Sequence, residues 1–253
     1  LGSVEDKLGW HAQGDGKRFC GVRLEYGRIK DFPDGPRYRS TLRELAQAFK
    51  GRIRLTPNQN ILFCDIDPKE QGRFDGILAA HGVKPAGEYT QAHRMSIACV
   101  SLPTCHLALS ESERAMPGLM DRLDALLSEL GLEKEHILFR MTGCPNGCAR
   151  PYNADFAFVG RGPEKYALYI GGSYRGDRMA GLAFRSVNME DIPAKVRLFL
   201  EQYKAKRKPG ETFTDYWGRT HVNGSAPHPS QFHEEFEERA KKLGKGKHGC
   251  GAE

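Results

Sequence analysis

Two pairs of cysteines constrain this chain more than any other feature of its sequence. Cys99 and Cys105 are spaced C-x5-C, and Cys144 and Cys148 are spaced C-x3-C. Proline or glycine stands beside each pair, which favours a loop over the interior of a helix or strand. Cysteines that only fill a core need no such pairing. The two pairs therefore predict four thiolates that hold a metal centre.

The number of ligands alone leaves the kind of metal centre open, because four thiolates can hold zinc or an iron-sulfur cluster. Structural zinc usually takes C-x2-C pairs, whereas the wider spacings here suit a looser wrap around a cubane. We predict a 4Fe-4S cluster held by Cys99, Cys105, Cys144 and Cys148. Zinc and four unrelated buried thiols are the alternatives.

Composition limits the class of protein. The chain has 253 residues, 39% of them hydrophobic, which is enough for one large domain or two modest ones. Seven cysteines and no signal peptide favour reduced thiols, hence the cytoplasm or a plastid stroma. No apolar run is long enough for a membrane span. The first residue is not methionine, and we expect a piece of a longer polypeptide.

The net charge of +6 is mild for a chain of this length and suits anionic ligands. A basic nucleic-acid-binding protein is an alternative from a different functional class. The charge is scattered, however, and no motif combines aromatic with basic residues, so this pattern argues against nucleic acid as a partner.

The first 86 residues predict an α+β unit. Strand residues at 19–26 precede a helix at 41–49 with Ser40 as its N-cap, a hairpin at 52–56 and 61–66, and a helix at 69–81. This order is typical of a ferredoxin-like half-domain. A change in composition near 85–87 predicts the domain boundary.

The remaining residues predict an α/β domain at 87–220 and a polar, flexible tail at 221–253. A capping signal at Ser110 predicts a long helix to Leu130, kinked or restarted at Pro117. A strand at 136–141 leads into the second cysteine pair. Strands at 154–160 and 166–171 and a helix at 192–206 follow, and Arg140 and Arg185 are interpreted as charges at strand edges.

The amino-acid sequence around the cysteines resembles that of a known protein family. The segments Leu-Pro-Thr-Cys and Thr-Gly-Cys-Pro-Asn-Gly-Cys resemble the assimilatory sulfite reductase hemoproteins of the sulfite and nitrite reductase superfamily. The resemblance continues through Leu-Thr-Pro-Asn-Gln-Asn at 55–60 and Leu-Tyr-Ile-Gly-Gly at 168–172 to about residue 218. His106 departs from it, because a small residue or proline is more usual there.

The resemblance implies a 4Fe-4S cluster coupled to siroheme, with Cys148 shared by both metal centres as the catalytic thiolate. It implies six-electron reduction of sulfite to sulfide, with electrons from a flavoprotein or ferredoxin. An axial thiolate would raise electron density on the haem iron, which agrees with this assignment. Nitrite is the alternative substrate, and a 4Fe-4S electron carrier without haem is a further alternative.

The resemblance also implies which residues contact the cofactors. Arg54, Asn58, Gln59 and Asn60 would reach the siroheme, although Asn-Gln-Asn is equally typical of a hairpin turn. Asn146 and Gly147 would direct backbone N–H groups at cluster sulfurs, or only form a tight turn. For the siroheme carboxylates the candidates are Arg150, Arg175 and Arg178, unless they are simply solvated.

The resemblance covers only the C-terminal half of such a hemoprotein. The substrate-binding cations would then come from the missing N-terminal half. Without that half, the first domain is expected to expose a sheet edge and an apolar face, which favours self-association.

Overall fold

Two β-sheets, each packed against helices, organise the protein. The structure is a computed structural model that describes residues 5–221. The strands are β1 (Gly9–Ala12), β2 (Arg18–Val22), β3 (Ile53–Leu55), β4 (Ile61–Ile66), β5 (Ile97–Ala98), β6 (Phe139–Thr142), β7 (Phe156–Gly162), β8 (Lys165–Ile170) and β9 (Gly181–Asn188). The helices are α1 (Tyr38–Ala48), α2 (Gln71–Ala80), α3 (Gln91–Met95), α4 (Met116–Leu130), α5 (Ile192–Lys206) and α6 (Phe213–His221).

The first sheet is antiparallel, with the order β1-β2-β4-β3. Its core holds Val22 and Phe63 from the strands, Leu45 from α1 and Phe74 from α2. This arrangement confirms the predicted α+β class and the predicted hairpin, and it adds β1, which the sequence pattern did not predict. Strand β3 lies at the open edge of the sheet, where all three of its residues are exposed.

The second sheet is mixed, with the order β5-β6-β7-β8-β9. Strands β5, β6 and β7 run parallel, and β8 and β9 continue the sheet in antiparallel fashion. Cys99 directly follows β5, and Cys144 stands two residues after β6. Because the carboxyl ends of parallel strands meet at the same edge of a sheet, the fold brings the two cysteine loops together.

Two predicted helix starts are wrong. Ser40 lies inside α1, which begins after Arg37, and its hydroxyl donates to Asp31 at 2.7 Å. Helix α4 begins at Met116 with Pro117 in its first turn, where the missing N–H costs nothing. Ser110 and Ser112 belong instead to the loop before α4, where both hydroxyls donate to backbone carbonyls.

Helices α3 and α6 and strands β5 and β9 were not predicted. Strand β9 has mostly exposed or half-buried residues, so it lacks a continuous apolar run. Helix α6 lies at the end of the predicted α/β domain, and its Phe213 and Tyr216 are buried. Helix α5 has the bounds that the sequence predicted.

Within residues 5–221, no helix combines the length and the apolar character needed to cross a membrane. Almost all of the predicted tail, from residue 222 onwards, lies outside the described residues. The domain boundary near 85–87 stays a prediction.

Candidate functional site

The four paired cysteines line one cavity. Cys99, Cys105, Cys144 and Cys148 all border a space of about 280 Å³ between the two cysteine loops. Cys144 is buried, Cys99 and Cys105 are partly buried, and Cys148 is exposed. Within residues 5–221 no three His, Cys, Asp or Glu side chains converge as ligands of a single ion. The thiols are therefore spread around a cavity and do not meet at one point.

Gly143 joins the two cysteine loops. Its N–H donates to the Cys99 sulfur at 3.2 Å, and its carbonyl accepts from the backbone N–H groups of Leu109 and Ser110. A side chain could not fit here, because a Cβ on Gly143 would lie 1.9 Å from the Ser101 hydroxyl oxygen. Glycine before Cys144 thus allows the close approach on which the cavity depends.

The second loop turns tightly after Cys144. Gly147 has a φ of +73°, and the backbone N–H of Arg150 donates to its carbonyl at 2.8 Å. The Tyr152 hydroxyl donates to the Pro145 carbonyl at 3.1 Å. Asn146 lines the cavity. The tight-turn interpretation of Asn146 and Gly147 thus has geometric support, while their proposed role toward cluster sulfurs stays a prediction.

Gln59, in the turn between β3 and β4, links the first sheet to the first cysteine loop. Its amide nitrogen donates to the Ala98 carbonyl at 2.6 Å, and its amide oxygen accepts from the Ala98 N–H at 3.2 Å. Strand β5 is the edge of its sheet, so this side chain occupies the place of a neighbouring strand. Gln59 also lines the cavity.

The neighbouring asparagines hold the hairpin itself. Asn60 is buried, and its side chain accepts from the Leu24 N–H and donates to Asp6 at 2.8 Å. The Asn58 amide donates to the same carboxylate at 3.1 Å, while its oxygen accepts from Arg150 at 2.8 Å. A contact of Asn58 or Asn60 with siroheme stays a prediction.

The four predicted siroheme arginines have different surroundings. Arg150 lines the cavity and donates to the Pro57 carbonyl at 3.2 Å in addition to Asn58. Arg175 pairs with Asp215 at 3.0 Å, and Arg178 donates to the carbonyls of Gly171 and Thr214, each at 2.7 Å. Arg54 is exposed on β3. Only Arg150 of this set borders the cysteine cavity.

Two buried charges of the second sheet were not predicted. Arg140 is not at a strand edge, since β6 lies between β5 and β7, and burial lowers its pKa to about 10. Burial raises the pKa of Asp155 to about 6, although its carboxylate accepts from the Leu138 N–H and the Thr214 hydroxyl. Burial likewise raises the pKa of the Cys99 thiol, which the Gly143 N–H opposes.

Comparison of the sequence with known proteins identifies relatives of this chain. The family profile described as Nitrite/Sulfite reductase ferredoxin-like half domain matches residues 11–81. Over 211 residues the chain is 45% identical to the NADPH sulfite reductase hemoprotein beta-component of Methylobacterium nodulans. The alignment covers 83% of this chain and 35% of that protein. Over 238 residues the chain is 42% identical to the ferredoxin sulfite reductase of Synechococcus elongatus, covering 94% and 37%.

The chain belongs to the sulfite and nitrite reductase hemoprotein family. The predicted resemblance is thereby confirmed. This member spans a little over a third of the length of those two relatives.

A solved structure supports the fold of this family member. The Mycobacterium tuberculosis NirA protein aligns with a TM-score of 0.73 and 20% identity, covering 88% of this chain and 42% of that one. Dissimilatory sulfite reductase I aligns less closely, with a TM-score of 0.57 and 12% identity over 90% of this chain and 77% of that one. At these identities the likeness concerns the fold alone.

Proposed function

We propose that this chain is the part of a sulfite reductase hemoprotein that holds a 4Fe-4S cluster and, through Cys148, siroheme. The observation that carries the proposal is the meeting of four cysteines around one cavity at the carboxyl ends of β5 and β6. The whole reaction would be the six-electron reduction of sulfite to sulfide, with the rest of the active site supplied by the part of the hemoprotein that this chain does not span.

The donor set fits a cluster. Iron-sulfur clusters are held by cysteine thiolates, and four cysteines border this cavity. Among the other described residues that line it, Arg150 is the one that carries a charge. The Gly143 N–H already points at one of these sulfurs. N–H donors to cluster sulfurs raise the reduction potential, so Gly143 would both shape the cavity and tune its redox centre.

The surface beside Cys148 fits a flat macrocycle. Cys148 is exposed, and Val100 and Leu107, which line the same cavity, are 44% and 67% exposed. Apolar side chains at the rim of a cysteine cavity suit the face of a large ring. Arg150 would offer a cation to a ring carboxylate, provided that it exchanges its contact with Asn58.

The bound cofactors would supply the electron transfer and the iron that takes up sulfite. The chain's own residues would hold the two centres at a fixed separation, through Cys148, and keep the buried part of the site free of water. Neither Arg175 nor Arg178 needs a cofactor to be satisfied, since both already bond to protein groups. Their pairing with siroheme is the weaker part of the proposal.

The electron donor would be a flavoprotein or a ferredoxin. Relatives named for NADPH and for ferredoxin both align over most of this chain. The six described cysteines are free thiols, which suits a reducing compartment, the cytoplasm or a plastid stroma.

Anaerobic reconstitution with iron, sulfide and siroheme tests the proposal. The expected product contains about four irons and four sulfides per chain and has a Soret band. Serine at Cys99, Cys105 or Cys144 should abolish cluster retention, and Cys148→Ser should remove the coupling between cluster and haem. Cys64→Ala, a buried thiol in β4 outside the cavity, is the matched control and should behave as the unchanged chain.

A colourless chain that binds zinc stoichiometrically would contradict the proposal. Nitrite is the second candidate substrate, because the matching family profile names both anions. Shifts of the Soret band on adding sulfite or nitrite to the siroheme-loaded chain compare the two directly.

A further inference from the structure

Arg140 is a buried cation that forms no ion pair within residues 5–221. Arg140 is only 5% exposed to solvent. One guanidinium nitrogen, Nη1, donates to the Arg150 carbonyl at 2.9 Å, while Nε is buried without any hydrogen-bond partner. A buried guanidinium that forms no ion pair is costly, so a further anion beside Arg140 would be stabilising.

Arg140 contacts the loop that borders the cysteine cavity, because its Nη1 donates to the carbonyl of Arg150, a residue of the cavity lining. Side chains alternate along a strand, and Phe139 and Met141 enter the large core between the second sheet and its helices. Arg140 and Thr142 therefore face the other way. In the parallel register Arg140 stands beside Ile97, which lines the cavity.

A second polar group on the same face is also unpaired. The Thr142 hydroxyl is buried without a hydrogen-bond partner. Asp155 acts on Arg140 electrostatically but forms no ion pair with it, and its carboxylate accepts from Leu138 and Thr214. The Arg140 Nε and the Thr142 hydroxyl, both buried on one face of β6, would each be satisfied by a polar or anionic group on that side.

We propose that Arg140 is a positioning residue that sets the reduction potential of the redox centre held by the four cysteines. The inference rests on the proposed function. Its buried charge would stabilise the more reduced state, and its bond to the Arg150 carbonyl would hold the loop that carries Cys144 and Cys148. When an external reductant gives up one electron, the site gains one negative charge and no bond breaks. A fixed nearby cation favours that change.

Redox titration of the chain with a reconstituted cluster tests the role. The midpoint potential is followed by electron paramagnetic resonance for the unchanged chain, Arg140→Gln and Arg140→Lys. Glutamine keeps a donor for the Arg150 carbonyl but removes the charge, so its potential should shift to a more negative value. Lysine keeps the charge and should stay close to the unchanged chain. Arg185→Gln, at an exposed position of β9 in the same sheet, controls for the loss of one charge and should not shift.

Each outcome decides the matter. An Arg140→Gln cluster with an unchanged potential overturns the role, as does a shift no larger than that of Arg185→Gln. Should the glutamine variant not fold, Arg140→Lys decides, because a large negative shift despite the retained charge overturns the role. An unchanged chain that assembles no cluster contradicts the proposed function and with it this inference, whereas a cluster indifferent to Arg140 contradicts this inference alone.

Discussion

Arg150 and Asn58 join the second cysteine loop to the hairpin of the first sheet, with the Arg150 Nη2 donating to the Asn58 Oδ1 at 2.8 Å. One residue further on, Gln59 pairs with both backbone groups of Ala98, directly before Cys99. The turn of this hairpin thus contacts both cysteine loops. The separation of the two cysteine pairs therefore depends on a segment that contributes no thiol.

Gln59→Ala should destabilise the chain by about 2–3 kcal/mol. Ala98 is fully buried, and the substitution leaves both its N–H and its carbonyl without their side-chain partner, each at a desolvation cost of about 1–3 kcal/mol that relaxation partly offsets. Urea unfolding followed by circular dichroism measures the loss.

Gln47→Ala is the matched control for Gln59→Ala. Gln47 lies at an exposed position of α1, where a glutamine-to-alanine change should alter stability by no more than about 0.5 kcal/mol. Equal stability of the two variants would show that the Gln59 amide does not support β5.

Gly143→Ala should disrupt the cysteine cavity. The added Cβ would lie 1.9 Å from the Ser101 hydroxyl oxygen and 2.6 Å from the Ser110 carbonyl oxygen, so the two loops would have to separate. We expect a loss of at least about 2 kcal/mol, together with loss of cluster retention on reconstitution. Thermal unfolding and iron content measure the two effects.

Gly118→Ala offers a control of opposite sign. No atom lies within 4 Å of a Cβ built on Gly118, which stands inside α4. Alanine should therefore stabilise the helix by about 0.5–1 kcal/mol. If both glycine variants retained the cluster equally well, the close approach at Gly143 would not matter to the site.

The sequence predicted the elements whose pattern is local. Helix α5 and the hairpin of β3 and β4 each carry their own periodicity or turn signal, and the structure has them where expected. The spacing of the two cysteine pairs predicted one site, and all four cysteines line one cavity. Gln59 could not be assigned in this way, since its role depends on an edge strand of the other sheet that no local pattern describes.

Arg140 shows a different limit of sequence interpretation. A charged residue in a short strand usually marks an exposed edge, yet β6 is an inner strand of the second sheet. The neighbours of β6 come from segments far apart in the chain, so burial of the guanidinium follows from sheet order. Strand β9 was missed for a related reason, because its exposed face weakens the apolar signal.

Asp155 should make stability depend on pH. Burial raises its pKa from 3.8 to about 6, so the folded state binds its proton more tightly than the unfolded state. The resulting stabilisation is fully present below pH 3.8 and is lost as pH rises through about 6, by up to about 3 kcal/mol. Asp155→Asn can keep the bonds to Leu138 and Thr214 without a charge, so it should match the unchanged chain near pH 4 and exceed it in stability at pH 7.

Urea titrations of both proteins between pH 4 and pH 7 measure that difference. Taking the difference removes the effect of carboxylates whose pKa is lowered in the fold, such as Glu211 beside Arg219. Asp34→Asn, at an exposed position, reports the effect of losing one negative charge. A constant difference between Asp155→Asn and the unchanged chain across this range would contradict the prediction.

Strand β3 should make the chain self-associate. It pairs only with β4 in the first sheet, and its Ile53 and Leu55 side chains are 45% and 79% exposed. An unpaired apolar edge favours pairing with another chain, and a charge on that edge opposes it.

In sedimentation velocity, the unchanged chain should associate more as its concentration is raised. Leu55→Lys should associate less than the unchanged chain at the same concentration. Leu198→Lys removes a leucine that is 48% exposed on α5, where the backbone is already hydrogen-bonded within the helix, and should leave association unaltered. A monodisperse monomer for the unchanged chain, or equal effects of the two lysines, would show that β3 is not a pairing edge.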